Sequence, residues 1–184
     1  QLAADRTGQW LRVAVDGAHP AAPESLAAAL VDPLRARGRA GIHVPAGGFL
    51  RPASLRFEYG RDNPDAFYLG WLDEAGLRRE VLDPLAPGGA GRVLPSLWDP
   101  VTDRATRAPY MTVPPAAVVL VSGQFLLGGG LPRGAIVMVV GAPGTGKTTL
   151  AQQMAFHAAS QGASALYLTG YSETHAKLLD YGRG

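Results

Sequence analysis

The chain has 184 residues, 47% of them hydrophobic, with 17 basic against 15 acidic side chains and no cysteine. That is apolar material for one ordinary domain, or for a domain plus a fragment, and the missing cysteines exclude disulfides and thiolate metal sites. No run of about 18 consecutive apolar residues occurs, which argues against a helical membrane span. The formal net charge is +2, and the pI of 9.2 comes without a Lys/Arg run, so a nucleic-acid partner is not indicated. Arginines gather at Arg35, Arg37 and Arg39 and at Arg104 and Arg107, where solvated loop charge is the reading. The 24 glycines and 15 prolines are spread between apolar segments and predict long connections instead of disorder. The chain starts at Gln1 without the basic-then-apolar build of a signal peptide, so a cytoplasmic chain that begins inside a longer reading frame is expected.

Leu11-Arg12-Val13-Ala14-Val15 predicts a buried strand that ends at Asp16-Gly17. Over residues 24–37 the apolar positions Leu26, Leu30, Val31 and Leu34 recur at helical spacing, with Pro23 suited to the first turn. A strand, a loop and a helix in this order invite comparison with the phosphate-binding pattern G-x-x-x-x-G-K-T. Gly17 takes the first glycine position, but the second glycine, the lysine and the hydroxyl positions fall on Ala22, Pro23 and Glu24. Proline has neither charge nor N–H, and a glutamate would put a carboxylate beside phosphate. The spacing survives while the chemistry is gone; the other reading, a turn that never held phosphate, stays open.

Ile42-His43-Val44 predicts a second short strand. Residues 66–81 carry Phe67, Leu69, Trp71, Leu72, Leu77 and Val81, a helical pattern interrupted near Gly70 and Gly76. Residues 92–97 read as a strand, and residues 117–121, introduced by Pro114-Pro115, as another.

Residues 9–131 resemble the uridine kinase-like members of the P-loop nucleoside kinases. The resemblance rests on VAVDG at residues 13–17, FLRPAS at 49–54, NPDAFY at 63–68, LRREVLDPL at 77–85, WDPVTDRATR at 98–107 and VVLVSGQFLL at 118–127. It implies an acidic general base just before Phe49-Leu50-Arg51 and an acidic residue at the end of the strand over 118–121. The sequence has Gly47-Gly48 and Ser122 at those places. With the lysine position at Pro23, three chemical positions fail together, which leaves no phosphoryl-transfer machinery of the usual kind. Asp65, Asp99, Asp103, Arg104 and Arg107 remain as polar candidates for nucleoside or phosphate contact, against a reading as surface pairing.

A second strand–loop–helix unit is intact. The apolar run at 135–140 leads into Gly141-Ala142-Pro143-Gly144-Thr145-Gly146-Lys147-Thr148-Thr149, followed by an amphipathic run at 150–161. Glycines let the backbone wrap phosphate, N–H groups and the helix N-terminus supply positive potential, Lys147 neutralises β- and γ-phosphate charge, and Thr148 offers a hydroxyl to Mg²⁺. The expected cofactors are therefore ATP and Mg²⁺. From residue 126 onward, GGGLPRG, GAPGTGKTTL and ALYLTGYSE resemble the start of a KaiC-like ATPase core of the RecA superfamily. That resemblance implies an acidic residue after the strand at 165–168. Glu173 fits, either as a catalytic base or as an acidic first-turn residue of a helix over 173–181. The Asp-bearing strand that such a core would use for Mg²⁺ is expected further on and is not among these residues; FLLGGGLP at Phe125 to Pro132 resembles both the end of the kinase-like segment and the entry to the KaiC-like core, so a fusion, a recombined chain or a truncated frame is expected.

The expectation is an α/β protein with a P-loop NTPase-type parallel sheet and covering helices, composite or truncated. Its regions are 1–125, kinase-like with a degenerate loop, and 126–184, the first part of an ATP-binding core. Binding of a nucleoside triphosphate with at most weak ATPase activity is the leading function. Phosphate transfer to a nucleoside such as uridine, and a non-catalytic pseudo-kinase or fusion fragment, are the alternatives. The RecA resemblance also implies a homo-oligomer. No membrane partner is expected.

Overall fold

The computed structural model describes residues 9–126 and the strand Ile136–Val140, all within one compact unit, Gln1–Val140. In chain order it runs β1 (Leu11–Gly17), α1 (Pro23–Ala36), β2 (Gly41–Pro45), α2 (Ala53–Arg56), α3 (Pro64–Gly70) and α4 (Glu74–Leu77). A π-helical turn (Arg78–Leu82) follows, then the short strands β3 (Arg92–Val93), β4 (Trp98–Asp99), β5 (Arg104–Ala105) and β6 (Met111–Thr112), and finally β7 (Val118–Gly123) and β8 (Ile136–Val140).

The main sheet is parallel, in the order β2-β7-β1-β8. Its central strands β1 and β7 are mainly apolar, Arg12, Asp16 and Ser122 apart, because a parallel strand is covered on both faces. The register Leu11↔Val118, Val13↔Leu120 and Val15↔Ser122 sets the two faces apart by parity. Leu11, Val13, Val15, Val118 and Leu120 pack with Ala27 and, from α1, Leu26, Leu30, Val31 and Leu34. On the opposite face Ala14, Val119 and Val121 join Val44, Phe49, Leu77, Val81 and Val113.

The helical pattern over residues 66–81 is interrupted at Gly70, as expected. α3 ends at Gly70, and Asp73 caps α4 by accepting a hydrogen bond from the Gly76 N–H (2.9 Å). Gly76 therefore lies inside a helix and not at the break. A side chain there would collide with Leu97 and the capping carboxylate. The expected strand over residues 92–97 shortens to Arg92–Val93, paired antiparallel with β6. β8, which leads into the intact phosphate-loop motif, pairs in parallel with β1 from Val13↔Ile136 to Gly17↔Val140. The kinase-like region thus supplies a neighbour for a strand of the KaiC-like segment, and a composite sheet results. No described helix is long and apolar enough to cross a membrane.

Candidate functional site

The C-terminal ends of the strands open on a cleft of about 420 Å³, between the start of α1, the segment after β2, the end of β7 and the helices α3 and α4. In open parallel sheets this is where ligands bind. The turn aligned by spacing with a phosphate loop, Gly17 to Glu24, reaches this cleft through His19, Ala22, Pro23 and Glu24.

After β1 the chain makes a 3₁₀ turn (His19–Ala21) and enters α1 through Ala22 at φ 46°, ψ 54°. That left-handed conformation suits glycine, the residue the phosphate-binding pattern puts there, and costs alanine about 1–2 kcal/mol. No side chain caps α1; Pro23 opens it, and Glu24 stands in the first turn, where the macrodipole favours a negative charge. A phosphate arriving at this helix end would meet that carboxylate.

The next two departures have equally concrete surroundings. A Cβ built on Gly48 would lie 2.8 Å from the Ser96 hydroxyl and 3.0 Å from the Ser96 Cβ, so this position is closed to a general-base side chain unless Ser96 moves. Ser96 is tied in place through its hydroxyl to the Gly48 carbonyl at 3.3 Å and the Trp98 carbonyl at 3.4 Å. At Gly47 a Cβ would be in ordinary contact, 3.8 Å, with Glu24 Oε1, so the glutamate of α1 reaches over the segment where the kinase resemblance expects an acid. At the end of β7, Ser122 is fully buried, and its hydroxyl hydrogen-bonds His43 Nε2 of β2 at 2.7 Å. Burial lowers the His43 pKa; the negative charge of Glu24 opposes this.

Asp103 ties α2 to the β4–β5 hairpin. Its Oδ1 accepts from the Ala53 N–H (2.8 Å) and the Trp98 indole (3.0 Å) and lies 3.7 Å from Arg56, which is itself buried and bonded to the Arg51 carbonyl. These bonds hold its carboxyl below the usual range, the Ala53 N–H contributing most. Asp99 closes the adjoining turn by accepting from Val101 and Thr102. Asp65, Arg104 and Arg107 are exposed. None of these five polar candidates lines the cleft. What does line it, unanticipated from the sequence, is aromatic: Phe67, Tyr68, Trp71 and Phe125, in edge-to-face pairs with ring centroids 4.7–5.1 Å apart. Among the described residues no cluster of His, Asp or Glu is placed to hold a metal ion. Gly141 to Thr149 and Glu173 lie outside the described residues.

The parallel sheet, its order and the cleft at the strand ends define an α/β fold of the P-loop kinase type. Two solved structures carry it: a candidate uridine kinase from Bacillus stearothermophilus (TM-score 0.64, 16% identity, 91% of this chain and 95% of that one) and a candidate fructose transport system kinase from Silicibacter sp. TM1040 (TM-score 0.54, 19% identity, 100% and 89%). Sequence comparison points to the other resemblance. The family model described as ATPase, KaiC, matches residues 122–180. The DNA repair protein RadA of Campylobacter jejuni is 47% identical over 47 residues, which are 26% of this chain and 10% of that protein. The chain therefore spans about a tenth of the length of that curated relative. Kinase-like fold and KaiC-like sequence thus meet in one chain, as the two sets of motifs indicate.

Proposed function

We propose that the chain binds ATP, or another nucleoside triphosphate, with Mg²⁺ at Gly141 to Thr149. The observation that carries this reading is the complete G-x-x-x-x-G-K-T motif inside the segment matched by the KaiC family model, residues 122–180. Lys147 contacts the β- and γ-phosphates, the N–H groups of residues 144–149 cradle them, and the Thr148 hydroxyl is the protein ligand for Mg²⁺. Glu173 orients water in a slow hydrolysis. The region 126–184 is the nucleotide-binding module of a cytoplasmic protein that assembles as a homo-oligomer, and the region 1–125 is a kinase fold that no longer transfers phosphate. The lost lysine position at Pro23, the carboxylate of Glu24, the closed position at Gly48 and the neutral Ser122 support this division.

A thermal shift tests the proposal. A ligand at 100 times its Kd stabilises the native state by about 2.7 kcal/mol, and for a chain of this size each kcal/mol moves Tm by about 2–4 °C. Saturating Mg-ATP should raise Tm by about 5–10 °C in the wild type and leave Lys147→Ala unmoved. An equal shift in Lys147→Ala would refute the proposal.

A further inference from the structure

The cleft at the turn after β1 carries carboxylates and aromatic walls. Glu24 enters from the first turn of α1 and Glu74 from α4, and both are exposed. Among the described residues no lysine or arginine lines the cleft. Arg51 belongs to an adjoining recess, which shares Tyr68, Leu72, Glu74 and Phe125 with it. His19 is the one ionisable base among the lining residues described.

The ring surface is accessible: Phe67 is 36%, Tyr68 48% and Phe125 38% exposed. Phe125 is held at φ 60°, a conformation that a bulky side chain adopts at a cost of about 1–3 kcal/mol and that clusters at ligand clamps. Its ring stands edge-on to both Phe67 and Tyr68, at 5.1 Å from each. A cleft of about 420 Å³ is of the size that encloses a small organic ligand.

From this geometry we propose that the cleft is a binding site for a planar heteroaromatic cation without phosphate groups. The ligand stacks against the rings of Phe67, Tyr68 and Phe125, and its positive charge is met by Glu24 and Glu74. Ring faces carry negative potential, so a delocalised cation gains from the aromatic walls as well as from the carboxylates. The same carboxylates repel phosphate and carboxylate ligands.

A charge series on one bicyclic frame tests this: 1-methylquinolinium, quinoline and quinoline-6-carboxylate, titrated calorimetrically into the full chain at pH 8. The cation should bind at least about tenfold more tightly than the carboxylate, with quinoline between them. Glu24→Gln and Glu74→Gln, both at exposed positions, should each lower affinity for the cation about threefold to fivefold and leave quinoline unchanged. Phe125→Ala should weaken all three. Equal or tighter binding of the carboxylate, a cation affinity indifferent to both glutamine variants, or no binding of any of the three would overturn the proposal.

Discussion

Replacing Ser122 by alanine removes the hydroxyl that sits, fully buried, 2.7 Å from His43 Nε2. A net hydrogen bond contributes about 0.5–1.5 kcal/mol, and a buried partner left without one costs about 1–3 kcal/mol. His43 is only half-buried, so water recovers part of its loss, and the expected destabilisation is about 1–2 kcal/mol. That corresponds to a Tm lower by roughly 2–8 °C. Urea unfolding of the wild type, Ser122→Ala, His43→Ala and the double variant isolates the pair, with a coupling of about 0.5 kcal/mol or more expected. The same cycle has a pH signature. Burial lowers the His43 pKa in the folded chain, so between that value and the unfolded one near about 6.5 the unfolded chain binds the extra proton. The stabilisation is present above about pH 6.5 and lost as pH falls toward the folded value, and this part of the acid dependence disappears in His43→Ala. A coupling within about 0.3 kcal/mol of zero, together with identical acid profiles, would refute the assignment of His43 and Ser122 as a structural pair.

Two further substitutions test the account of the degenerate loop. Ala22→Gly relieves the left-handed alanine at φ 46° and, after the extra entropy of glycine in the unfolded chain, should stabilise the fold by about 0.5–1 kcal/mol in urea titration; a loss of stability would contradict that backbone geometry. Gly48→Asp, which puts back the acid that the kinase resemblance expects, should instead destabilise the fold by about 1–3 kcal/mol, because its Cβ meets Ser96, and should yield no transfer of phosphate from ATP to uridine. Measurable transfer by Gly48→Asp would show that the general base was the one missing part.

The elements legible in the sequence are those whose pattern is local. The apolar run of β7, the mainly apolar β1 and the periodic apolar face of α1 are each readable from their own residues, and Gly17 to Glu24 aligns with a phosphate loop by spacing alone. Sheet order was not readable, since β2 and β8 reach their neighbours across long connections that leave no local signal. The helix over 66–81 was misread through Gly76: a glycine inside a helical pattern reads as a break, whereas here it is required by the Asp73 cap and by Leu97. The aromatic cleft is not legible because Phe67 and Trp71 read as apolar positions of an interrupted helix and Tyr68 only as part of the NPDAFY motif. Phe125, which completes the cluster, lies more than fifty residues away. Asp103 stood out as a polar candidate, but its partners Ala53, Arg56 and Trp98 come from α2 and the β4–β5 hairpin, and only the fold brings them to it.

Of the two loops at phosphate-loop spacing, only Gly141 to Thr149 is proposed to bind triphosphate. Calorimetric titration of Mg-ATP into the wild type, Lys147→Ala and Glu24→Ala measures this directly. One ATP per chain is expected in the wild type, none in Lys147→Ala, and an unchanged stoichiometry and affinity in Glu24→Ala. Binding that survives Lys147→Ala, or a second equivalent of ATP gained on removal of the Glu24 carboxylate, would contradict it.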